Sequence, residues 1–382
     1  MHIIINALSA RSGGGISVAA AYGNYLSKLF ELERVSVVIC PAVAAQVEVS
    51  ERLAHSGCRI ENAPDSFRKT MNRTFGERSF IHSLINQNEN SDTILIQLNG
   101  MLPIGFPLAL KSVLLVQDPS AYVAATYGNA RSRFGSWIRR QVQRWSLARA
   151  DLALYTSNYI RELITSHHSQ LPAVNRVVYN GVPELFEEKA FQEPVEPNTF
   201  RILTVSNVAR YKGQFDVIRA IGKLNRDESN GVKFYYDIVG AISDLERSAL
   251  MALVEAAGML EFVSLHGRIS DAARDALLVK ADLFAHLSRC ESFGIPVIEA
   301  MNEGVPVLAA NLTALPEIGG AAAVYCNPYN LDEVADRILM LAKDSGRRRA
   351  MVEDGYQNVK RFTWDRVMQS VSAEITALGQ DR

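Results

Sequence analysis

Residues 283–310 read LFAHLSRCESFGIPVIEAMNEGVPVLAA, and this stretch decides the class of fold. The apolar run LFAHLS predicts a buried strand, RCESFG predicts a loop, and VPVLAA predicts a second buried strand. Between them, Pro296 suits the first turn of a helix, because its missing N–H would have no intrahelical partner there, and Gly304 ends that helix. This succession of strand, loop, helix and strand indicates a parallel α/β sheet.

Two glutamates, Glu291 and Glu299, enclose the loop and the start of this helix. The pattern places Glu291 in the loop and Glu299 in the first helical turn, both beyond the carboxyl end of a strand, where open α/β sheets bind ligands. A helix N-terminus offers free backbone N–H groups to phosphate. The stretch therefore predicts carboxylates that bind a polyol beside N–H groups that bind phosphate. The alternative is that both are exposed acids favoured by the helix dipole.

The length and composition indicate a globular protein of two domains. The chain has 382 residues, of which 48% are hydrophobic and 21% are charged, so neither a disordered chain nor a multi-span membrane protein is expected. No run approaches the roughly eighteen apolar residues that span a bilayer, and MHIIINALSA lacks the basic segment of a signal peptide. Cys40, Cys58, Cys290 and Cys326 are scattered, which predicts neither a zinc site nor a disulfide framework. A cytoplasmic location is expected.

Short apolar runs alternate with helical patterns along the whole chain, which predicts doubly wound parallel sheets with strands buried on both faces. The candidate strands span residues 2–8, 35–40, 93–98, 112–117, 152–157, 201–207, 234–240, 263–267, 283–288 and 305–310. Between the two halves lies VVYNGVPELF (177–186), followed by the polar stretch at 187–199. Pro, Asn, Gly and acidic residues there predict a linker and a boundary after residue 182.

Residues 281–330, ADLFAHLSRCESFGIPVIEAMNEGVPVLAANLTALPEIGGAAAVYCNPYN, closely resemble the C-terminal half of glycosyltransferase family 4. The match includes the E-x7-E element, the GVPV strand, the LPE-G loop and the N-P-x-x turn. Four further segments resemble motifs of that family: VVYNGVP (177–183), VSNVARYKGQ (205–214), ARADLALYTSNY (148–159) and FTWDRVMQSV (362–371). The resemblance spans most of the chain and is more specific in its C-terminal half.

The resemblance implies the GT-B fold, in which two Rossmann-like domains face each other across a cleft. Residues 1–182 would form the acceptor-side domain, residues 183–360 the nucleotide-sugar domain, and residues 361–382 a closing helix that packs back on the first domain. The implied reaction moves a sugar from a nucleotide-sugar donor to a hydroxyl of a glycan or lipid-linked acceptor, with retention and without a metal or other cofactor. Bacterial relatives of this kind build surface polysaccharide or lipopolysaccharide.

The resemblance also implies roles for residues in the C-terminal half. Glu299 would bind ribose, Glu291 would contact the donor sugar, and Lys212 would neutralise the departing diphosphate. The family often has an arginine at the position of Asn207, so Arg210 either supplies this second cation or the site lacks it. A solvated turn carrying two bases is the alternative for that segment. The complete set of donor-binding candidates is Gly14, Gly15, Asn207, Arg268, Ile269, Ser292, Phe293, Gly294, Ile295 and Glu299.

Two features of the N-terminal half complete the predicted site. ARSGGGISVAA (10–20) predicts a glycine-rich loop before a helix, with Gly14 and Gly15 near the donor phosphate; a plain turn is the alternative. Gln117 stands where many family members have a histidine, and Asp118 either orients the acceptor or begins a turn with Pro119. No histidine is an evident general base, which fits a mechanism in which a donor phosphate oxygen takes the acceptor proton.

The charge of the chain is unevenly distributed. Residues 1–182 hold 18 Lys and Arg against 12 Asp and Glu, whereas the remainder holds 22 against 29. Much of the excess lies in RSRFGSWIRRQVQRWSLAR (131–149), which predicts a basic amphipathic helix. Such a helix fits an anionic membrane surface, which would be the inner face of the membrane, and the alternative is a helix that covers the first sheet. Nucleic acid is not expected, because no reading module appears.

Two other functions remain compatible with these residues. The chain could be a GT-B relative that epimerises a sugar nucleotide or acts on phosphate. It could also be a non-catalytic protein that keeps the fold and binds a nucleotide or a membrane surface. Glu291, Glu299 and Lys212 favour an active transferase, and Asn207 and Gln117 leave room for the alternatives.

Overall fold

The computed structural model divides the chain into two compact units. The first comprises Met1–Pro183 with Trp364–Arg382, and the second is Glu184–Thr363. The sequence analysis placed the boundary after residue 182 and began the closing helix at 361. The structure describes residues 2–10, 14–30, 35–41, 58–68, 70–87, 92–105, 110–122, 130–182, 187–189, 191, 193, 196 and 198–380.

The first unit contains a sheet whose strands all run parallel. In spatial order, these strands are β3 (Arg59–Asn62), β2 (Val35–Ile39), β1 (His2–Asn6), β4 (Thr93–Gln97), β5 (Lys111–Val116), β6 (Leu152–Tyr155) and β7 (Val174–Val177). The strands β1, β2, β4 and β6 are buried along their entire length, as expected for apolar runs covered on both faces. The strand order reverses between β1 and β4, which is the doubly wound arrangement.

The described helices of the first unit include one from the C-terminus of the chain. They are α1 (Gly14–Leu29), α2 (Thr70–Gln87), α3 (Ala130–Leu147), α4 (Asn158–Thr165) and α12 (Trp364–Gln380). Trp364 of α12 meets Tyr22 of α1 edge-to-face, with ring centroids 6.3 Å apart. Val371 and Ile375 are fully buried in the same apolar cluster, and Arg176 Nε lies 2.9 Å from Glu374 Oε1. Helix α12 thus belongs to the core of the first unit.

The second unit repeats the same winding. Its strands, all parallel, are in spatial order β10 (Val263–Gly267), β9 (Lys233–Val239), β8 (Thr199–Val205), β11 (Leu283–His286), β12 (Val307–Ala310) and β13 (Ala323–Cys326). Its helices are α5 (Gln214–Arg226), α6 (Asp244–Ala256), α7 (Asp271–Lys280), α8 (Ile295–Asn302), α9 (Leu315–Gly319), α10 (Leu331–Lys343) and α11 (Ser345–Val359). The strand order reverses between β8 and β11, so their carboxyl ends form the place where such sheets bind ligands.

The predicted class, doubly wound parallel α/β, is confirmed, but three strands were missed. The strands β3, β7 and β13 each lie at an edge of a sheet. The sequences RIEN of β3 and VNRV of β7 are half-buried and polar, because an edge strand has fewer neighbours to exclude water. Strand β13 has only four residues and follows a glycine–alanine turn, so its hydrophobic signal is short.

The packing of α12 predicts the effect of truncating one of its core side chains. Ile375→Ala should lower the free energy of unfolding by about 2–5 kcal/mol, because the side chain is fully buried and leaves a cavity. Thr376→Ala, at the next and exposed position, should change it by less than about 0.5 kcal/mol. Urea unfolding followed by circular dichroism measures both. Equal effects would show that α12 is not part of the core.

Candidate active site

Two loops meet beyond the carboxyl ends of β8 and β11, and a glycine allows their close approach. Gly213 has a left-handed backbone with φ +86°, and a Cβ atom there would lie 2.5 Å from the carbonyl oxygen of Leu287. A side chain at position 213 would therefore push the two loops apart. The loop after β11 ends at Gly294, whose φ of +101° begins helix α8.

The loops bring together a cation, a carboxylate and an imidazole. Lys212 Nζ lies 2.5 Å from Glu291 Oε1, and His286 Nε2 lies 2.8 Å from the same oxygen. The Lys212 and Glu291 side chains are 16% and 12% exposed, and His286, at the end of β11, is fully buried. The ring of Phe284 stacks on His286 with centroids 6.1 Å apart. Sequence analysis named Lys212 and Glu291 from separate motifs, without predicting their contact, and missed His286.

Both members of the ion pair are held in their charged forms. Burial alone would raise the pKa of Glu291, but Lys212 and the hydrogen bond from His286 outweigh burial and hold this pKa well below its usual range. Burial would likewise lower the pKa of Lys212, but the Glu291 charge and hydrogen bond outweigh it and raise the pKa. The site thus offers an anion that only accepts hydrogen bonds beside a cation that only donates them.

The other basic residues of the two loops have different partners. Arg210 is exposed; its guanidinium lies over the Phe215 ring, and its Nε lies 4.0 Å from Glu246 Oε2. Arg289, which sequence analysis missed, is largely buried and lies 2.8 Å from Asp216. Arg289 also donates to the carbonyl oxygen of Arg210, at 3.1 Å, which ties the loop after β11 to the loop after β8. The sequence could have indicated Arg289, because this residue lies just beyond the carboxyl end of a predicted strand.

The start of helix α8 decides where Glu299 lies. Ile295 is its first residue, because Gly294 caps it in a left-handed conformation, and the Val297 N–H donates to the Gly294 carbonyl at 2.9 Å. Glu299 is therefore the fifth residue of the helix, so the prediction that it lies in the first turn was wrong. The Glu299 carboxylate interacts electrostatically with Arg274 of α7. Burial opposes the charge of Arg274, but this carboxylate helps to raise the arginine pKa above its ordinary value.

The rest of the loop after β11 is anchored in the second unit. Phe293 is buried and meets Phe362 edge-to-face, with centroids 5.5 Å apart, while Ser292 is half-buried. This anchoring holds the backbone that leads into α8, where the first-turn N–H groups lack helical acceptors. The N-terminus of α8 is thus formed by four consecutive residues, Ser292, Phe293, Gly294 and Ile295.

The remaining donor-binding candidates of this unit also follow strands. Asn207 is exposed in the loop after β8, and its carbonyl accepts a hydrogen bond from Gln214 at 3.2 Å. Arg268 is exposed and Ile269 is half-buried, directly after β10. The neighbouring His266 pairs with Asp237 of β9, at 2.6 Å. These residues lie at the carboxyl ends of β8 and β10, the ligand-binding side of the sheet.

In the first unit, the predicted residues have local structural roles. Gly14 and Gly15 are the first residues of α1, so the prediction that they lie in a loop was wrong, while their place near the donor phosphate stays a prediction. Gly13 lies outside the described residues. The Gln117 side chain donates to the carbonyl of Leu98, at 2.6 Å. Asp118 accepts from the backbone and hydroxyl of Ser120, at 2.8 and 2.9 Å, and therefore begins a turn.

Neither a cluster of metal-binding side chains nor a membrane-spanning helix occurs among the described residues. No group of three or more His, Cys, Asp or Glu side chains in the described part of the chain is arranged as metal ligands. Among the same residues, no helix has both the length and the apolar character needed to cross a membrane.

Comparisons with known proteins relate this arrangement to a family. The family of "Glycosyl transferases group 1" matches residues 186–358, which is nearly all of the second unit. O-antigen chain mannosyltransferase B from Escherichia coli is 32% identical over 120 residues, which cover 31% of this chain and 32% of that protein. MMP α-(1→4)-mannosyltransferase from Mycolicibacterium hassiacum is 26% identical over 336 residues, 82% of this chain and 74% of that protein.

The second unit thus matches the glycosyltransferases of group 1.

A solved structure extends the likeness from the second unit to both units of the chain. HepE from Anabaena in complex with UDP-glucose aligns with a TM-score of 0.74 over 99% of this chain and 100% of that one, at 17% identity. At that identity the comparison speaks for the fold alone, and it confirms two parallel-sheet α/β units of the GT-B type. The matched segments span about a third of the first relative and about three-quarters of the second.

The contact between Lys212 and Glu291 predicts a large loss of stability when only the lysine is removed. Lys212→Met should lower the free energy of unfolding by about 3 kcal/mol at pH 7, because the Glu291 carboxylate stays buried without its main counter-charge. The matched control is Lys223→Met, which breaks an exposed Lys223–Asp332 pair of similar length and should cost less than about 1 kcal/mol. Urea unfolding followed by circular dichroism compares the two.

The effect should also depend on pH in one direction. The folded-state pKa of Glu291 is depressed, so its ionised form stabilises the protein above the ordinary value of 4.5, and this contribution is lost as the pH falls below that value. The deficit of Lys212→Met should therefore shrink in acid. A deficit that is independent of pH, or equal to that of Lys223→Met, would contradict the buried ion pair.

Proposed function

We propose that this protein is a retaining glycosyltransferase that moves a sugar from a nucleotide-sugar donor to a hydroxyl of a glycan or lipid-linked acceptor. The observation that supports this most directly is the contact between charged Lys212 and charged Glu291 beside the N-terminus of α8. A nucleotide sugar carries a diphosphate, which needs cations and N–H donors, and sugar hydroxyls, which need acceptors. The three groups supply both kinds of partner within one cluster.

Lys212 and the start of α8 would act on the diphosphate. As the bond between the anomeric carbon and the diphosphate oxygen breaks, negative charge grows on the leaving group. A protonated lysine and free N–H groups at a helix N-terminus stabilise that charge. The acceptor oxygen forms the new bond to the anomeric carbon, and its proton passes to a phosphate oxygen of the departing nucleotide. In this scheme Lys212 supplies the cationic stabilisation, and no metal or other cofactor is required.

The two glutamates would hold the donor by different parts. Glu291 is ionised and largely buried, but 12% of its side chain is accessible beside Lys212, so it would accept hydrogen bonds from the hydroxyls of the transferred sugar. Glu299, one turn inside α8, would accept from the ribose hydroxyls. His286 reaches the donor only through Glu291, whose oxygen it contacts, and is therefore a positioning residue. Arg210, Asn207, Arg268 and Ile269 stay candidates for donor contacts at the same sheet edge.

The process served by this transfer is proposed by likeness to relatives. One matched relative is named an O-antigen chain mannosyltransferase, and a solved neighbour of the same fold was crystallised with UDP-glucose. Surface polysaccharide or lipopolysaccharide synthesis in the cytoplasm is the corresponding proposal. Gln117 and Asp118, at the end of β5, stay proposed acceptor contacts.

Calorimetric titration tests the donor site. UDP, GDP, ADP and NAD are each titrated into the wild type, and one nucleoside diphosphate should bind. Glu299→Ala should weaken that binding about tenfold to a hundredfold, because hydrogen bonds to a carboxylate are lost. Glu255→Ala, which removes an exposed acid from α6, should leave it unchanged. Binding of no nucleotide, or equal binding by Glu299→Ala, would contradict the donor site.

A turnover assay tests the role of Lys212. Release of the nucleoside diphosphate from the matching sugar nucleotide should fall about a hundredfold or more in Lys212→Gln, because the developing negative charge loses its cation. Lys223→Gln serves as the control and should retain full activity. Nuclear magnetic resonance of the product reports the anomeric configuration, which should be retained. Conversion of the sugar nucleotide without any glycosylated acceptor would instead identify an epimerase or phosphorylase.

A further inference from the structure

The inward side of helix α3 carries buried polar side chains beside the core residue Leu147. Ser136, Gln143 and Ser146 are at most 5% exposed and face the body of the first unit. The Leu102 N–H donates to Ser146 Oγ at 2.9 Å, and the Tyr122 hydroxyl donates to Gln143 Oε1 at 2.5 Å. These hydrogen bonds fix the rotation of the helix, so the opposite side faces solvent.

The solvent side of the same helix is aromatic. Phe134, Trp137 and Ile138 are 64%, 52% and 43% exposed, and their spacing of three and four residues places them on one stripe. The Phe134 and Trp137 rings stack with centroids 6.1 Å apart and planes 17° apart. A surface helix ordinarily turns such a stripe toward the core, so its exposure calls for a partner.

The charge around the stripe is of one sign. Residues 130–149 contain six arginines and no Asp or Glu. Of the described arginines, Arg140 is half-buried, and four are exposed: Arg133, Arg139, Arg144 and Arg149. The Arg149 guanidinium lies 4.7 Å from the centre of the Trp145 ring. Stacked aromatic rings flanked by arginines match the layered chemistry of a bilayer surface, where acyl chains lie beneath anionic headgroups.

We propose that this α3 surface, made of Phe134, Trp137, Ile138 and the exposed arginines, docks on an anionic membrane surface. The aromatic side chains would enter the boundary between headgroups and acyl chains, and the arginines would bind lipid phosphates. A second copy of the chain fits less well, because a symmetric contact would place two acid-free arginine clusters against each other. The proposal does not depend on the transfer reaction, so it can be tested without a substrate.

Vesicle flotation of the full chain tests the proposal. The wild type should bind vesicles of equal phosphatidylglycerol and phosphatidylcholine, should bind pure phosphatidylcholine at least tenfold more weakly, and should be released by high salt. The triple variant Phe134→Ser, Trp137→Ser, Ile138→Ser should bind at least tenfold more weakly. The matched control is Leu245→Ser with Leu260→Ser, two exposed leucines of the second unit, 80% and 58% exposed, which should leave binding unchanged.

The arginines have their own variant. Arg133→Gln with Arg144→Gln should weaken binding about fivefold for each arginine, or roughly twenty-five-fold together. Wild-type binding that is absent, equal on neutral and anionic vesicles, or unchanged in the triple variant would overturn the proposal. A dimer seen by sedimentation without lipid and abolished by the triple variant would overturn it in favour of a second copy.

A second readout covers the case in which the triple variant does not fold. Brominated acyl chains in anionic vesicles should quench the tryptophan fluorescence of the wild type, because Trp137 enters the bilayer, and Trp137→Phe should remove most of that quenching. Trp364→Phe, which replaces a buried tryptophan of α12, should leave the quenching in place. Quenching that survives Trp137→Phe would contradict insertion by the α3 surface.

Discussion

The parallel pairing of β8 with β11 is the constraint on which the candidate site depends. Leu283 pairs with Ile202 and Phe284 with Leu203, so the loops that follow the two strands emerge side by side. These loops come from segments about eighty residues apart in the chain. They touch because Gly213 has no side chain to collide with the Leu287 carbonyl. Without this register the two loops would not lie side by side, and Lys212 would not contact Glu291.

Burying the ion pair formed there costs desolvation free energy, and this cost indicates why the pair is present. Removing two charges from water opposes folding, and a buried pair often contributes little net stability. Lys212 and Glu291 nevertheless remain charged, because each is the main partner of the other and His286 adds a hydrogen bond. An arrangement of this kind is better explained by chemistry than by stability. It holds a cation and an anion ready, so that neither has to be assembled when a charged ligand arrives.

In the first unit, the distinctive features are the ways in which two helices pack. Helix α12 comes from the far end of the chain, yet its apolar face completes the core beside α1, through Trp364 and Tyr22. Helix α3 does the reverse, since it buries hydroxyl and amide groups and exposes its aromatic stripe. Both follow from hydrogen bonding and burial: apolar faces are covered wherever the fold supplies a surface, and polar groups are buried only when they are paired.

The sequence by itself determined the doubly wound class, because periodic apolar runs and helix signals act locally along the chain. It also indicated Lys212, Glu291 and Glu299, since each follows a strand within a recognisable motif. Tertiary structure alone decided the partners: the contact of His286 with Glu291, the tie of Arg289 to Asp216, and the direction in which α3 faces. The sequence likewise did not reveal the edge strands β3, β7 and β13. Their pairing energy comes from a neighbour distant in sequence, and no local pattern records a contact of that kind.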